Sequence, residues 1–387
     1  MNYKDVTKPV FAHPVDDEQS VTPNPMKGLK IMLVADKSRF STADVYTGYC
    51  SALKRMGAEF EFFPTHQYLD LYSADTVWCM AIAKAVIPEN HITNVFFISG
   101  VDVPVYVYET LHTHGIRVGV IATDDPHSMR PLFYERRRFI HYYLSNEKAS
   151  LELHDQRIRY IPVAASNVIP YYEKKSDLPV EYQSDVVFVG SLYPNRIPFL
   201  EAAAEWCHAH GKKMIVAGLF MYVQADSILH QCKVGGTIDN QETLKYLQGS
   251  ECTINISRDV YWHPYLPVNS RLMGVKPYSA NPRMYESSMC RTMQIVFDDR
   301  PEYREWLGDN AFFFDTVDGL IGAIDSCINT IDPKLYNSMV RANFDKVLSC
   351  GCYDHRVVSI LGAMASIDSA TSDDINDNAF HEAMKEM

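Results

Sequence analysis

Nowhere in the chain does an uninterrupted apolar run approach the roughly 18–20 residues that a membrane-spanning helix needs, so the sequence offers no candidate span. The amino terminus is polar, with Lys4, Lys8, Asp16, Asp17 and Glu18, and does not read as a secretory signal; the chain is expected to stay in the cytosol. Cysteine is present without pattern. Nine are scattered from Cys50 to Cys352, an odd count without paired metal-ligand spacing, which argues against a disulfide framework and points to reduced, mostly buried thiols. No Gly-x-Gly-x-x-Gly follows any apolar run, which weakens a dinucleotide oxidoreductase. Positive charge is in deficit, 36 Lys and Arg against 48 Asp and Glu for a net charge of −12, so any contact with nucleic acid has to be concentrated in a local basic patch.

What is present is a globular balance, 47% apolar and 22% charged, over 387 residues. That length exceeds one ordinary core and divides most naturally into two domains. Apolar runs recur from Leu29-Lys-Ile-Met-Leu-Val-Ala35 through Phe60–Phe63, Thr76–Ala81, Asn94–Ser99 and Ile116–Thr123 to Arg157–Val163, separated by helix-length amphipathic sequence. A second series starts at Asp185-Val-Val-Phe-Val-Gly190 and continues through Lys213–Ala217 and Glu251–Ile256 to Met293–Phe297. Alternation of this kind specifies α/β architecture with parallel sheets covered on both faces. The expected division is an extended arm over 1–27, a Rossmann-like domain over 28–170, a polar linker over 171–184, a second Rossmann-like domain over 185–348, a helix over 349–367 and a polar tail over 368–387.

The segment Ser279-Ala-Asn-Pro-Arg-Met-Tyr-Glu286 reads as a helix start built for an anion. Pro282 suits the first helical position, Asn281 or Ser279 can cap, and Arg283 adds charge where backbone N–H groups, including those at Met284 and Tyr285, point outward. Glu286 lies one turn on, placed to accept hydrogen bonds from ribose hydroxyls. A capped helix with a surface Arg and Glu is the plain alternative. The order that follows, a helix, the strand Met293–Phe297, Asp298-Asp-Arg-Pro301, the apolar run Ala311–Phe314 and a helix from Val317, resembles the donor-binding half of GT-B glycosyltransferases, in particular the CgeB-like (spore-maturation protein) group, whose Arg-x-aromatic-Glu segment Arg283-Met-Tyr-Glu286 matches. Val187-Phe-Val-Gly-Ser-Leu-Tyr-Pro-Asn-Arg196 resembles that group's strand, glycine turn and arginine, and Thr123-Asp-Asp-Pro126 and Tyr142–Glu147 resemble its first-domain segments.

The resemblance implies a GT-B fold, two Rossmann-like domains facing across a cleft with the last helices crossing back. It also implies a UDP-sugar donor as co-substrate with no permanently bound cofactor. Gly190, Ser191, Arg196, Ser279, Asn281, Arg283, Met284, Tyr285 and Glu286 are then the donor-binding candidates, with Arg196 and Arg283 stabilising the leaving diphosphate. No Asp-x-Asp follows a strand, so no metal is expected. Gln294, eight residues beyond Glu286, departs from the paired glutamates of the better-known retaining pattern. Asp124 is the first candidate for general base, or for orienting the acceptor if configuration is retained, with Asp36 and Asp102 behind it. Arg136-Arg-Arg138, followed by aromatic residues, is the one concentrated basic feature. Such a patch could track a phosphate backbone, although such runs also mark solvated helix faces. A compact two-domain chain with one basic-aromatic patch resembles bacteriophage DNA glycosyltransferases in size and layout, and that resemblance implies double-stranded DNA with a hydroxymethylated pyrimidine as acceptor. Small-molecule, glycan or protein acceptors, and an inactive nucleotide-sugar-binding module, are the alternatives.

Overall fold

The computed structural model describes residues 30–35, 41–129, 132, 136–167, 177–236, 238–258 and 275–369. The expected amino-terminal arm, Asp36, the first residues of the linker (171–176) and the tail beyond residue 369 lie outside them. The described residues form two compact units, one of 30–163, 275–279 and 353–369, the other of 164–258 and 280–352.

The first unit is built on a parallel sheet of β1 (Ile31–Val34), β2 (Phe60–Phe63), β3 (Asn94–Ile98), β4 (Arg117–Ile121), β5 (Tyr142–Ser145) and β6 (Ile158–Tyr160), in the order β2-β1-β3-β4-β5-β6. β1, β3 and β5 are buried along their whole length, as strands covered on both faces must be. One expected strand is a helix. Residues 76–81 lie within the helix Ala74–Val86, started by the Ser73 hydroxyl accepting from the Thr76 N–H at 3.3 Å. Val77, Trp78, Ala81 and Ala85 are buried from it at i, i+1, i+4 and i+8, a helical stripe that a short apolar run conceals when read alone.

The helix Tyr353–Asp368 belongs to this first unit. Tyr353 meets the Tyr49 ring edge-on at 5.0 Å, Arg55 pairs with Asp354 at 2.8 Å, and the Arg356 guanidinium donates to the Val163 carbonyl at 3.1 Å. Val357 and Ile360 lie over Ile31, Leu33, Phe96 and Ile121, closing one face of the sheet.

In the second unit β7 (Ser184–Val189), β8 (Met214–Ala217), β9 (Lys233–Val234), β10 (Ser250–Asn255), β11 (Met293–Phe297) and β12 (Phe312–Phe314) form another parallel sheet, ordered β12-β11-β10-β7-β8-β9. The chain begins in the middle at β7, winds outward through β8 and β9, then returns to β10 on the other side. The carboxyl ends of β7 and β10 therefore flank the point where the winding reverses, where open α/β sheets leave a crevice for ligands. No helix among the described residues is long and apolar enough to cross a membrane.

Candidate functional site

At the carboxyl edge of the second sheet, four segments come together: the turn after β7, residues 256–258 after β10, residues 298–303 after β11, and the start of the helix Pro282–Met289 that links β10 to β11. Close backbone approach sets the floor of this edge. A Cβ at Gly218, after β8, would lie 1.9 Å from the Gly190 carbonyl oxygen, so only glycine lets the two turns touch.

Arg196 ends the first turn. Its Nη1 donates to the Ser191 carbonyl at 2.6 Å, and its guanidinium lies 5.1 Å from the Tyr193 ring and 5.7 Å from that of Phe188. Burial lowers its pKa to about 10, and its Nε is buried with no hydrogen-bond partner. The Arg258 guanidinium lies 5.5 Å from the same Tyr193 ring. Arg300 donates through Nη2 to the Arg258 carbonyl at 3.2 Å, and its Nε sits 3.4 Å from Asp299 Oδ2.

The helix Pro282–Met289 is held at its start by a net of polar bonds. Asn281 Oδ1 caps it by accepting from the Met284 N–H at 3.2 Å, and the side-chain amides of Asn281 and Asn255 bond each other at 2.7 and 3.2 Å. The Glu302 carboxylate accepts from the Ala280 N–H at 2.6 Å, while the Tyr303 hydroxyl accepts from the Asn281 N–H at 3.4 Å and bonds the Ser257 hydroxyl at 2.9 Å. Arg283 Nη1 and Glu286 Oε2 approach to 2.6 Å as an i,i+3 ion pair without hydrogen-bond geometry. Buried polar atoms in folded proteins are nearly all bonded. Here Asn195 Oδ1, Arg196 Nε, Arg283 Nε and Arg300 Nε are buried without a hydrogen-bond partner in this unit, while Arg283 Nη1 and Glu286 Oε2 have only each other.

Several sequence expectations need correction. Ser279 does not cap the helix: its N–H donates to the Glu147 carboxylate, its hydroxyl accepts from the Lys148 N–H at 2.8 Å, and it belongs to the first unit. Met284 and Tyr285 are fully buried; Tyr285 packs edge-on against Trp306 at 4.9 Å, and the Met284 N–H is spent on the cap. Gln294 points into the interior of the unit, donating to the Met284 carbonyl at 3.1 Å and the Ser288 hydroxyl at 2.9 Å, so it marks no lost sugar contact.

The basic run is not a surface patch. Arg136 is 8% exposed, donates to the Val101 carbonyl at 3.2 Å and lies over the Tyr108 ring; Arg137 pairs with buried Asp155; only Arg138 is exposed, against Phe139 at 4.5 Å. A run of like charge shows no direction in sequence, and here successive side chains go to different partners.

Asp102 and Asp124 are exposed in the loops that follow β3 and β4 on the carboxyl edge of the first sheet. Sequence reasoning passed over the neighbour of Asp124. Asp125 is buried, accepts from the Tyr143 hydroxyl at 3.1 Å and the Ser145 hydroxyl at 2.6 Å, and burial drives its carboxyl up to about 7. Glu147 closes the segment Tyr142–Glu147 singled out in the sequence, and its carboxylate gathers the N–H groups of Ala149, Tyr278 and Ser279. Among the described residues no three His, Cys, Asp or Glu side chains gather as a metal site.

Residues 195–362 match the family model described as glycosyl transferase-like, a span that contains Arg196, Arg258, Asn281, Arg283, Glu286 and Arg300. No curated protein matches the sequence. Among solved structures, sucrose-phosphate synthase from Thermosynechococcus elongatus superposes with a TM-score of 0.57 at 10% identity, covering 89% of this chain and 100% of that one. Anabaena HepE in complex with UDP-glucose gives 0.55 at 11% identity, covering 89% and 100%. The chain has the GT-B fold. A putative UDP-N-acetylglucosamine 2-epimerase from Listeria monocytogenes also superposes, with a TM-score of 0.52 at 11% identity, covering 89% and 98%. A GT-B fold at such identities specifies architecture, and the chemistry has to be argued from the site.

Proposed function

We propose that this chain is a glycosyltransferase that takes a sugar from a nucleoside diphosphate sugar, most simply a UDP-sugar, bound at the carboxyl edge of the second sheet. The observation that carries the reading is a set of buried guanidiniums, Arg196, Arg283 and Arg300, each with an unbonded Nε, in the unit that holds a capped helix start and inside the segment that matches the glycosyl transferase-like model. Glu286 on the second helical turn suits the ribose hydroxyls. Arg196, on the turn with Gly190 and Ser191, and Arg283 suit the diphosphate. Negative charge grows on that diphosphate as the sugar leaves, so cations fixed beforehand at low local dielectric favour the transition state over the bound donor. With the charge met by arginine, the reaction needs no metal, and EDTA should leave the rate unchanged.

On the acceptor side, Asp124 is the candidate base or orienting group. A DNA acceptor loses its support, since the arginine run that suggested it is largely buried. Small-molecule, glycan and protein acceptors remain the natural candidates. The deciding experiment is mass spectrometry together with proton NMR of the protein's reactions with a panel of nucleotide sugars, with and without a cell extract. Released UDP with a sugar-bearing product supports transfer, a UDP-sugar changed only in sugar stereochemistry supports an epimerase, and binding without turnover supports a carrier module.

A further inference from the structure

The pair Asp298-Asp299 enters no part of the donor reading, yet the two carboxylates have different fates. Asp298 is taken by Arg304, with Nε 2.9 Å from Oδ1, at the exposed start of the helix Pro301–Leu307. Asp299 instead turns toward the arginine cluster. Its Oδ2 lies 3.4 Å from Arg300 Nε; burial raises its carboxyl above the ordinary carboxylate range, and against that Arg300, the Ser257 hydroxyl and the charge of Arg196 favour the ionised form. The hydroxyl of Ser257 in turn bonds Tyr303, which accepts the Asn281 N–H at the helix start.

We propose that Asp299 is an internal counter-ion for the arginine cluster, so that a diphosphate binds in competition with it. This inference rests on the donor reading for the nucleotide but not for the anion. Three guanidiniums, Arg196, Arg258 and Arg300, share this edge; Arg196 and Arg258 lie against one tyrosine ring, and Arg300 is tied to the Arg258 backbone. Like charges so close raise each other's cost unless an anion is present. Asp299 supplies one negative charge on a short side chain with an imperfect hold, since 3.4 Å is long for a charge-assisted bond and Arg300 Nε is still unsatisfied. A diphosphate offers more charge and more acceptor oxygens, and takes Arg300 from Asp299 while giving the Arg196 Nε a partner. Arg258 and Arg300 thereby join the anion site, and the carboxylate becomes a filter that singly charged ligands do not displace.

The test is the affinity of the full chain and of Asp299→Asn for inorganic pyrophosphate, UDP and uridine by calorimetry, with thermal melts to verify folding. Removing the competing charge should tighten pyrophosphate and UDP by about five- to tenfold and leave uridine unchanged. Arg258→Gln, a more peripheral change, should weaken pyrophosphate in both backgrounds. Equal or weaker pyrophosphate binding by Asp299→Asn overturns the counter-ion, as does an equal shift for uridine, which would mark a structural role. Tightened pyrophosphate binding with no UDP binding in either protein leaves the counter-ion standing and sinks the nucleotide reading instead.

Discussion

Glu286 meets Arg283 one turn back at 2.6 Å, both side chains about four-fifths buried. A ribose that bonds Glu286 and a diphosphate that bonds Arg283 would exchange this ion pair for two charged hydrogen-bond sets. Glu286→Gln keeps the shape and removes the charge, and should weaken UDP about tenfold, ~1.4 kcal/mol, with little change in melting temperature. Unaltered UDP affinity in calorimetry would end the ribose assignment. In the first unit, Asp125 makes a pH prediction of definite sign. Its carboxyl is an acid raised to about 7 on folding, so the folded chain holds a proton that the unfolded chain has released. The stability this provides is fully present below the ordinary carboxylate range and is lost as pH rises through 7. Urea unfolding at pH 5 and pH 8 should show the parent losing more stability than Asp125→Asn, by a few kcal/mol at most; parallel losses would contradict the shift. Glu251, raised to about 7 by burial, contributes equally to both proteins and cancels.

The helix Pro282–Met289 is only eight residues long, too short to persist on its own propensity. Met284, Tyr285, Ser288 and Met289 bury one side of it, and the cap fixes its start. Asn281 serves twice, as cap and as partner of Asn255 on β10, so it ties the helix end to the strand end. Asn281→Ala should cost about 1–2 kcal/mol of stability from the cap and weaken UDP more than it weakens uridine, because the anion seat moves while the base contacts do not. Circular dichroism melts and paired calorimetry read both, and equal loss for the two ligands would place the defect elsewhere.

At the scale of the whole molecule, the last helix is an integral wall of the first unit although more than 180 residues separate it from β6. A chain ended after Cys352 loses Tyr353, Asp354, Arg356, Val357 and Ile360, baring Ile31, Leu33, Phe96 and Ile121 to water. Hydrogen exchange should then show β1 and β3 amides losing protection while β7 and β10 retain theirs. Retained protection in β1 and β3 would show that the helix is dispensable.

The sequence by itself determined the class and the local devices. Buried strands read as continuous apolar runs because both faces of a parallel sheet are covered, and the start of the 282–289 helix is legible because proline and asparagine act on their own backbone neighbours. Arg196, Asn281, Arg283 and Glu286 belong to one unit. What only tertiary structure decided was direction and company. The run 76–81 became a helix because its apolar stripe had a core to face; Arg136 and Arg137 went inward to a carbonyl and a carboxylate; Gln294 turned to the back of a helix; and Arg258, Asp299 and Arg300, to which the sequence assigned no role, came to the same edge as Arg196 because separate strands end there. Those outcomes depend on contacts between residues distant in the chain, and no local pattern of charge or hydropathy encodes them.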